Sequence, residues 1–106
     1  MHRARASADV FRAIADPTRR AILDRLRAGA APVNALSEDF AQSRPAISKH
    51  LRVLRQARLV VEHRAGRQRI YELRPRALQR VAGWLEGYRL SWQSNLDALK
   101  RHLEDT

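Results

Sequence analysis

One stretch near the middle of the chain, Ser43 to Arg58 (SRPAISKHLRVLRQAR), restricts the fold more than any other. Ile47, Leu51 and Leu54 recur at i, i+4 and i+7, so on a helix they form one stripe that must pack inward. Roughly opposite that stripe lie Pro45, Lys49, Arg52 and Gln56, flanked by Ala46, Ser48 and Val53. Ser43 is a good N-cap, because its hydroxyl can accept an orphan amide hydrogen at the helix start. Pro45 fits the first turn, where a missing N–H loses nothing. That turn offers amides, a hydroxyl, a guanidinium and small side chains, the chemistry a helix end needs to enter a DNA major groove. An amphipathic surface helix with a solvated basic side has the same pattern, so the neighbouring segments decide between the two.

Charge is the next constraint. The chain carries 21 Lys and Arg against 11 Asp and Glu, and all but two of the bases are Arg. Arg is the better fork for phosphate and for guanine edges. The excess is uneven: residues 43–73 hold eight bases and two acids, a net +6, whereas the segments before and after hold +2 each. Charge focused on one third of the chain points to a face that binds a polyanion. A generally Arg-rich composition is the competing reading, with Ala, Arg and Leu this common.

Several functional classes drop out. The chain has no cysteine, so disulfides, thiolate metal sites and cysteine nucleophiles are absent. No apolar run approaches the ~20 residues of a membrane span. The basic N-terminus MHRARAS is not followed by an apolar signal core, so a cytoplasmic protein, held on the nucleoid through DNA, is expected. No Gly-rich phosphate loop, nucleophile elbow or paired-carboxylate site occurs, so no catalytic residue and no cofactor are expected.

Along the 106 residues the pattern suits one domain. Residues 1–6 read as a frayed arm. Ser7 to about Ala15 reads as a short helix with Val10, Phe11 and Ile14 on its apolar side. Asp16-Pro17 starts the next helix, as N-cap and first helical residue. This helix runs to about Ala28, with Ile22, Leu23 and Leu26 inside and Arg20 and Asp24 spaced to pair. Gly29 ends it, and Ala30 to Pro32 reads as a connector. Val33, Leu36 and Phe40 define a short helix, and Ala41-Gln42 turns into the Ser43 helix. Two helices joined by a tight turn, the second one basic, make a helix-turn-helix over residues 33–58.

Residues 59–73 switch to an extended period and read as a β-hairpin wing. With Ala65-Gly66 as a two-residue loop, Val61 faces Ile70, Val60 faces Tyr71 and Glu62 faces Arg69. Arg64, Arg67 and Gln68 then stand at the tip, where a wing reaches phosphates or the adjacent minor groove. Charge on a hairpin also blunts its exposed edge, and both roles can hold. Residues 75–103 read as one long helix. Leu78, Val81, Leu85, Tyr88, Trp92, Leu96, Leu99 and Leu103 are spaced by threes and fours, with Trp84 close by. A rod of roughly 42 Å is longer than one small domain can cover. Its stripe calls for a partner surface, and the same helix of a second copy related by a twofold axis is the expected one. Folding back on its own domain, or breaking near Gly83 or Gly87, is the alternative.

In order and at familiar spacing, FRAIADPTRRAILDRL, SRPAISKHLRVLRQARLV and the wing around RAGRQRIYEL resemble an ArsR/SmtB-type winged helix-turn-helix regulator. The likeness is to the subfamily that lacks the cysteine metal site and has aromatic residues in a long last helix. It spans about Ala8 to Leu103. It implies a mainly α fold with a β-hairpin wing, forming a homodimer through its first and last helices (Phe11, Leu85, Tyr88, Trp92, Leu96 and Leu99). It implies double-stranded DNA as partner, faced by Ser43, Arg44, Ala46, Ser48, Lys49, His50 and Arg52. Arg64, Gly66 and Arg67 of the wing would approach the backbone, and Arg44 and Lys49 are the expected direct contacts. The implied activity is sequence-specific transcriptional regulation, usually repression, at an inverted-repeat operator. A non-specific architectural DNA binder and a winged-helix protein-interaction module are the competing readings. The basic focus on residues 43–73 argues against the second, and the small, groove-fitting first turn of the Ser43 helix argues against the first.

The chain departs from the family in two places. Metal sensors of the family carry a Cys-x-Cys type site in the helix before the recognition helix, where this chain reads VNALSEDF. Others use Asp and His of the last helix, where this chain offers Asp97, His102, Glu104 and Asp105. Asp97 and His102 are five apart and do not share a face, so no metal site is expected. An unknown small-molecule effector stays open, with Trp84, Tyr88 and Trp92 either lining its pocket or forming dimer core. Second, the family usually has Gly where Arg58 stands. Gly there would cap the recognition helix in a left-handed turn, a conformation in which Arg is strained by on the order of 1 kcal/mol.

Overall fold

The computed structural model describes residues 9–105. Helix α1 occupies residues 9–14 of these, and the expected arm at residues 1–6 and the helix start at Ser7 lie outside them. Then follow α2 (Pro17–Arg27), β1 (Ala31–Pro32), α3 (Val33–Asp39) and α4 (Arg44–Gln56). Strands β2 (Val60–Ala65) and β3 (Gln68–Leu73) come next, and a 3-10 turn (Pro75–Leu78) leads into α5 (Gln79–Glu104).

The helix starts are built as their sequences require. Asp16 caps α2, its Oδ2 accepting the Arg19 amide at 2.9 Å. Ser43 caps α4, its Oγ accepting the Ala46 amide at 3.2 Å. Arg20 does not pair with Asp24. Its guanidinium donates to the carbonyls of Ile14 (2.9 Å) and Ala15 (3.2 Å), while Arg19 donates to Ala13 (2.8 Å) and Arg12 (3.0 Å). The last carbonyls of α1 have no partner inside that helix. Two cations placed there satisfy them and complement the helix dipole, a stronger demand than a solvated i, i+4 pair.

The core lies where α1, α2, α3, α4 and the sheet meet. Val10, Ala13, Ile22, Leu26, Leu36, Ile47, Leu51, Leu54, Leu59 and Val60 are all buried. Buried Ile47, Leu51 and Leu54 are the inward stripe expected of α4.

Two expectations need correction. The connector Ala30 to Pro32 contains a strand: β1 pairs antiparallel with β3, Ala31 opposite Tyr71 and Pro32 opposite Ile70, giving the order β1-β3-β2. Pro is tolerated there because β1 is an edge. The hairpin register is also shifted by two residues. Val60 opposes Leu73, Val61 opposes Glu72, Glu62 opposes Tyr71 and Ala65 opposes Gln68, so the loop is Gly66-Arg67 rather than Ala65-Gly66. Gly66 has φ +65°, and Arg67 has no positive φ. A two-residue turn of this kind needs glycine at its first position. A shift of two keeps every side chain on its own face.

Both helices of the helix-turn-helix end through a left-handed residue that is not glycine. After α3, Ala41 has φ +51°, with the Ala41 amide donating to Glu38 and the Gln42 amide to Ser37. After α4, Arg58 has φ +62°, its amide donating to the Arg55 carbonyl at 3.0 Å and the Leu59 amide donating to Leu54 at 3.0 Å. This is the Schellman arrangement, with Leu54 and Leu59 buried against it.

Helix α5 continues unbroken through Gly83 and Gly87, and none of its residues is buried. It gives the molecule a long axis of 65 Å and a radius of gyration of 18.3 Å, against about 13 Å for a compact domain of this length.

Replacing Arg58 by Gly relieves ~1–2 kcal/mol of left-handed strain and returns ~0.4–1 kcal/mol to the unfolded chain. The expected net gain is about 0.5 kcal/mol, a melting temperature higher by about 2–4 °C. Arg58→Ala, which keeps the strained backbone, is the control. Equal melting temperatures for the Gly and Ala variants would show that the turn is not strained.

Candidate nucleic-acid interface

Burial of Ile47, Leu51 and Leu54 turns the rest of α4 outward. Ser43, Arg44, Ser48, Lys49 and Arg52 are exposed, and Ala46 is half-buried. The first turn and the one after it therefore present small side chains and the two cations Arg44 and Lys49 on one exposed edge. His50 differs. It is half-buried, with Nδ1 3.9 Å from the Asp16 carboxylate at the start of α2. Of the residues expected to face DNA, it is the one turned back toward the domain.

The wing adds a second basic surface. Residues 63–69 are all exposed, so Arg64, Gly66 and Arg67 stand clear. Arg64 and Arg69 occupy opposing register positions. Like charges directly opposite destabilise a hairpin, and the Glu62 carboxylate, 3.6 Å from Arg69 Nη1, offsets the repulsion.

Between α4 and the sheet runs a groove. Arg44, Ser48, Arg52 and Arg55 recur along one side of α4 and form one wall, and Arg69 and Glu62 come from the wing. Arg55 and Arg69 are absent from the residues expected at the site. Their only sequence signals are the i, i+11 spacing of Arg55 from Arg44 and the expected register that set Arg69 opposite Glu62, where the structure has Tyr71. The carboxylate of Glu62 accepts from Arg55 Nη1 at 2.8 Å and from the Tyr71 hydroxyl at 2.8 Å, and lies 3.6 Å from Arg69 Nη1. Burial, with Glu62 next to it, pushes the Tyr71 hydroxyl pKa up.

The residues expected at a dimer interface lie away from this surface. Leu85, Tyr88, Trp92, Leu96 and Leu99 are exposed along α5, as is Trp84. Phe11 is half-buried and meets Trp84 edge-to-face at 5.4 Å, and Trp84 meets Tyr88 at 5.0 Å. This aromatic cluster joins α1 to α5. Asp97 accepts from Gln93 at 3.0 Å, and no cluster of three or more His, Asp or Glu suited to a metal occurs among the described residues. No helix among them is long and apolar enough to cross a membrane.

Residues 14–63 match the family model of a helix-turn-helix domain. The chain is 43% identical to the transcriptional repressor SdpR of Bacillus subtilis over 73% of its own length and 86% of that protein. It is 50% identical to the HTH-type transcriptional regulator Rv2034 of Mycobacterium tuberculosis over 64% of each. An ArsR-like transcriptional regulator from Rhodococcus sp. RHA1 has the same fold, with a TM-score of 0.73 and 32% identity over 95% of both chains.

Asp16 both caps α2 and faces His50, so it ties the recognition helix to the domain. The Arg19 amide holds its carboxyl below the usual carboxylate range, with the Arg19 and His50 charges adding to the effect. A carboxyl lowered on folding contributes stability that is fully present above its unfolded value near 3.9 and is lost as pH falls through the folded value. Asp16→Ala should therefore destabilise the protein by about 1 kcal/mol at neutral pH. In thermal melts the gap to wild type should close on acidification below about pH 4. A gap that is the same at pH 3 and pH 7 would refute the charged cap.

Proposed function

Because the chain belongs to the ArsR/SmtB family of winged helix-turn-helix transcriptional regulators, we propose that it is a homodimeric repressor of an inverted-repeat operator. The observation that carries this is the outward basic edge of α4, in which Ser43, Arg44, Ser48, Lys49 and Arg52 stand free while Ile47, Leu51 and Leu54 are buried. Two such helices enter successive major grooves on one face of the duplex, about 34 Å apart. Arg44 and Lys49 read base edges. Arg52, Arg64, Arg67 and the positive end of the α4 dipole hold phosphates. Repression follows from occupancy, because the dimer covers a site that polymerase needs.

The dimer reading rests on α5. Trp84, Tyr88, Trp92, Leu96 and Leu99 are each at least half exposed in the single chain. An apolar stripe running roughly 22 Å along one helix exceeds what a monomer leaves in water. A second copy of the same stripe covers it.

The direct test is binding of the pure protein to DNA from upstream of its own gene, beside an unrelated fragment of equal length, at low and moderate salt. Tight binding to the first that survives competitor is expected. Equal, salt-fragile binding to both, with no target recovered from random DNA, would refute a specific regulator. Arg67→Ala should weaken binding to every sequence alike and flatten the plot of log affinity against log salt by about 0.9. A changed sequence preference with an unchanged slope would contradict the phosphate role of the wing. Trp92→Arg or Leu96→Glu should yield a monomer by light scattering and lower affinity for the full site at least 100-fold. A dimeric variant with wild-type binding would place the interface elsewhere.

A further inference from the structure

The groove between α4 and the wing is lined by four arginines, and Glu62 is its one carboxylate among the described residues. We propose that Glu62 is a positioning residue for DNA recognition, which withholds Arg55 and Arg69 from phosphate and leaves Arg44 and Arg52 to bind it. The inference rests on the DNA-binding reading above.

The geometry divides the four cations into two pairs. Glu62 has a side chain only 19% exposed and holds Arg55 at 2.8 Å and Arg69 at 3.6 Å. It cannot follow them into solvent, because the hydroxyl of the buried Tyr71 donates to the same carboxylate oxygen that Arg55 uses. Arg44 and Arg52, on the same wall, make no ion pair among the described residues. Glu72, the other acid between residues 43 and 73, is engaged by Arg74 at 2.8 Å, outside the groove.

Two consequences follow for recognition. Arg55 lies in the last turn of α4 and Arg69 on β3, so one carboxylate joins the end of the recognition helix to the wing. The angle at which α4 meets the groove is thereby tied to where the wing meets the backbone. Contacts to phosphate are also indifferent to sequence. Two further arginines released onto the backbone would strengthen binding to every duplex alike, whereas loss of the tie between α4 and the wing loosens the placement of Arg44 and Lys49 and lowers discrimination. Glu62 thus limits total affinity and, separately, holds the placement on which selectivity depends.

The test measures affinity across a salt series for two duplexes: one selected from random DNA by the wild-type protein, and a scrambled version of it. Glu62→Gln keeps the volume and an oxygen for the Tyr71 hydroxyl but removes the charge. It should bind the scrambled duplex about tenfold more tightly at low salt and steepen the salt slope by about one to two contacts. Its selectivity ratio should fall about tenfold. The double variant Glu62→Gln, Arg55→Gln restores the local charge and should return the slope to wild type. Tyr71→Phe, which leaves all three charges in place, should not change it. A Glu62→Gln protein with wild-type slope and selectivity overturns the proposal. So does a uniform loss of both affinities with a lowered melting temperature that the double variant fails to reverse, which is a purely structural role. A wild-type protein that cannot discriminate the duplexes sinks the regulator reading itself. A discriminating wild type with an equally discriminating Glu62→Gln sinks only the role of Glu62.

Discussion

The molecule's working surface depends on the burial of three side chains, Ile47, Leu51 and Leu54, along one side of α4. Each contributes roughly 1.5–3 kcal/mol by leaving water. Their joint effect is also geometric, because a helix gripped along one stripe cannot rotate about its axis. A slip of one residue would turn it by about 100° and carry Arg52 toward the core. The cationic edge faces solvent because the leucines do not. Leu59 locks the end of the same helix, buried under a left-handed Arg58. The recognition surface is thus held at its start by Ser43, along its length by the core and at its end by an unfavourable backbone torsion.

Most of this was legible because it is local. Periodicity marks the inner face of α4, Ser43 and Asp16 mark the caps, and Arg58 in place of glycine marks the left-handed turn that the structure contains. Features that couple distant parts of the chain were not legible in the same way. Strand β1 is two residues long, too short to show a period. The hairpin loop contains one glycine, and sequence does not say which of its two positions that glycine takes. The resulting two-residue error left the faces correct and the partners wrong. Arg20 has a suitably spaced acid within its own helix, but the carbonyls it satisfies belong to the end of α1. Glu62 shows the limit most clearly. The hairpin sets Tyr71 opposite it and leaves Arg69 a diagonal, weaker partner, and the stronger one, Arg55, comes from a helix that only the tertiary fold brings near.

The candidate site divides in the same way. Exposure of Ser43, Arg44, Ser48, Lys49, Arg52, Arg64, Gly66 and Arg67 follows from the helix stripe and the hairpin alone. The inward turn of His50 does not, since it depends on how α2 crosses α4 and brings Asp16 alongside. The charge excess is likewise organised by the fold, which sets Arg19 and Arg20 to close a helix end and Glu62 to restrain two cations of the groove.

The aromatic cluster of Phe11, Trp84 and Tyr88 is where the DNA-reading body meets the rod. With Leu78 and Val81, which pack against the core, Phe11 on Trp84 joins the rod to the body and sets its tilt. In a twofold assembly a tilt is a length. Roughly 10° carried across the 35 Å width of the molecule moves the far side by roughly 6 Å, nearly two base-pair steps along a duplex that rises 3.4 Å per pair. In the proposed dimer the single ring contact that crosses from α1 to α5 would therefore act as the hinge of a caliper whose opening sets the spacing of the half-sites it spans.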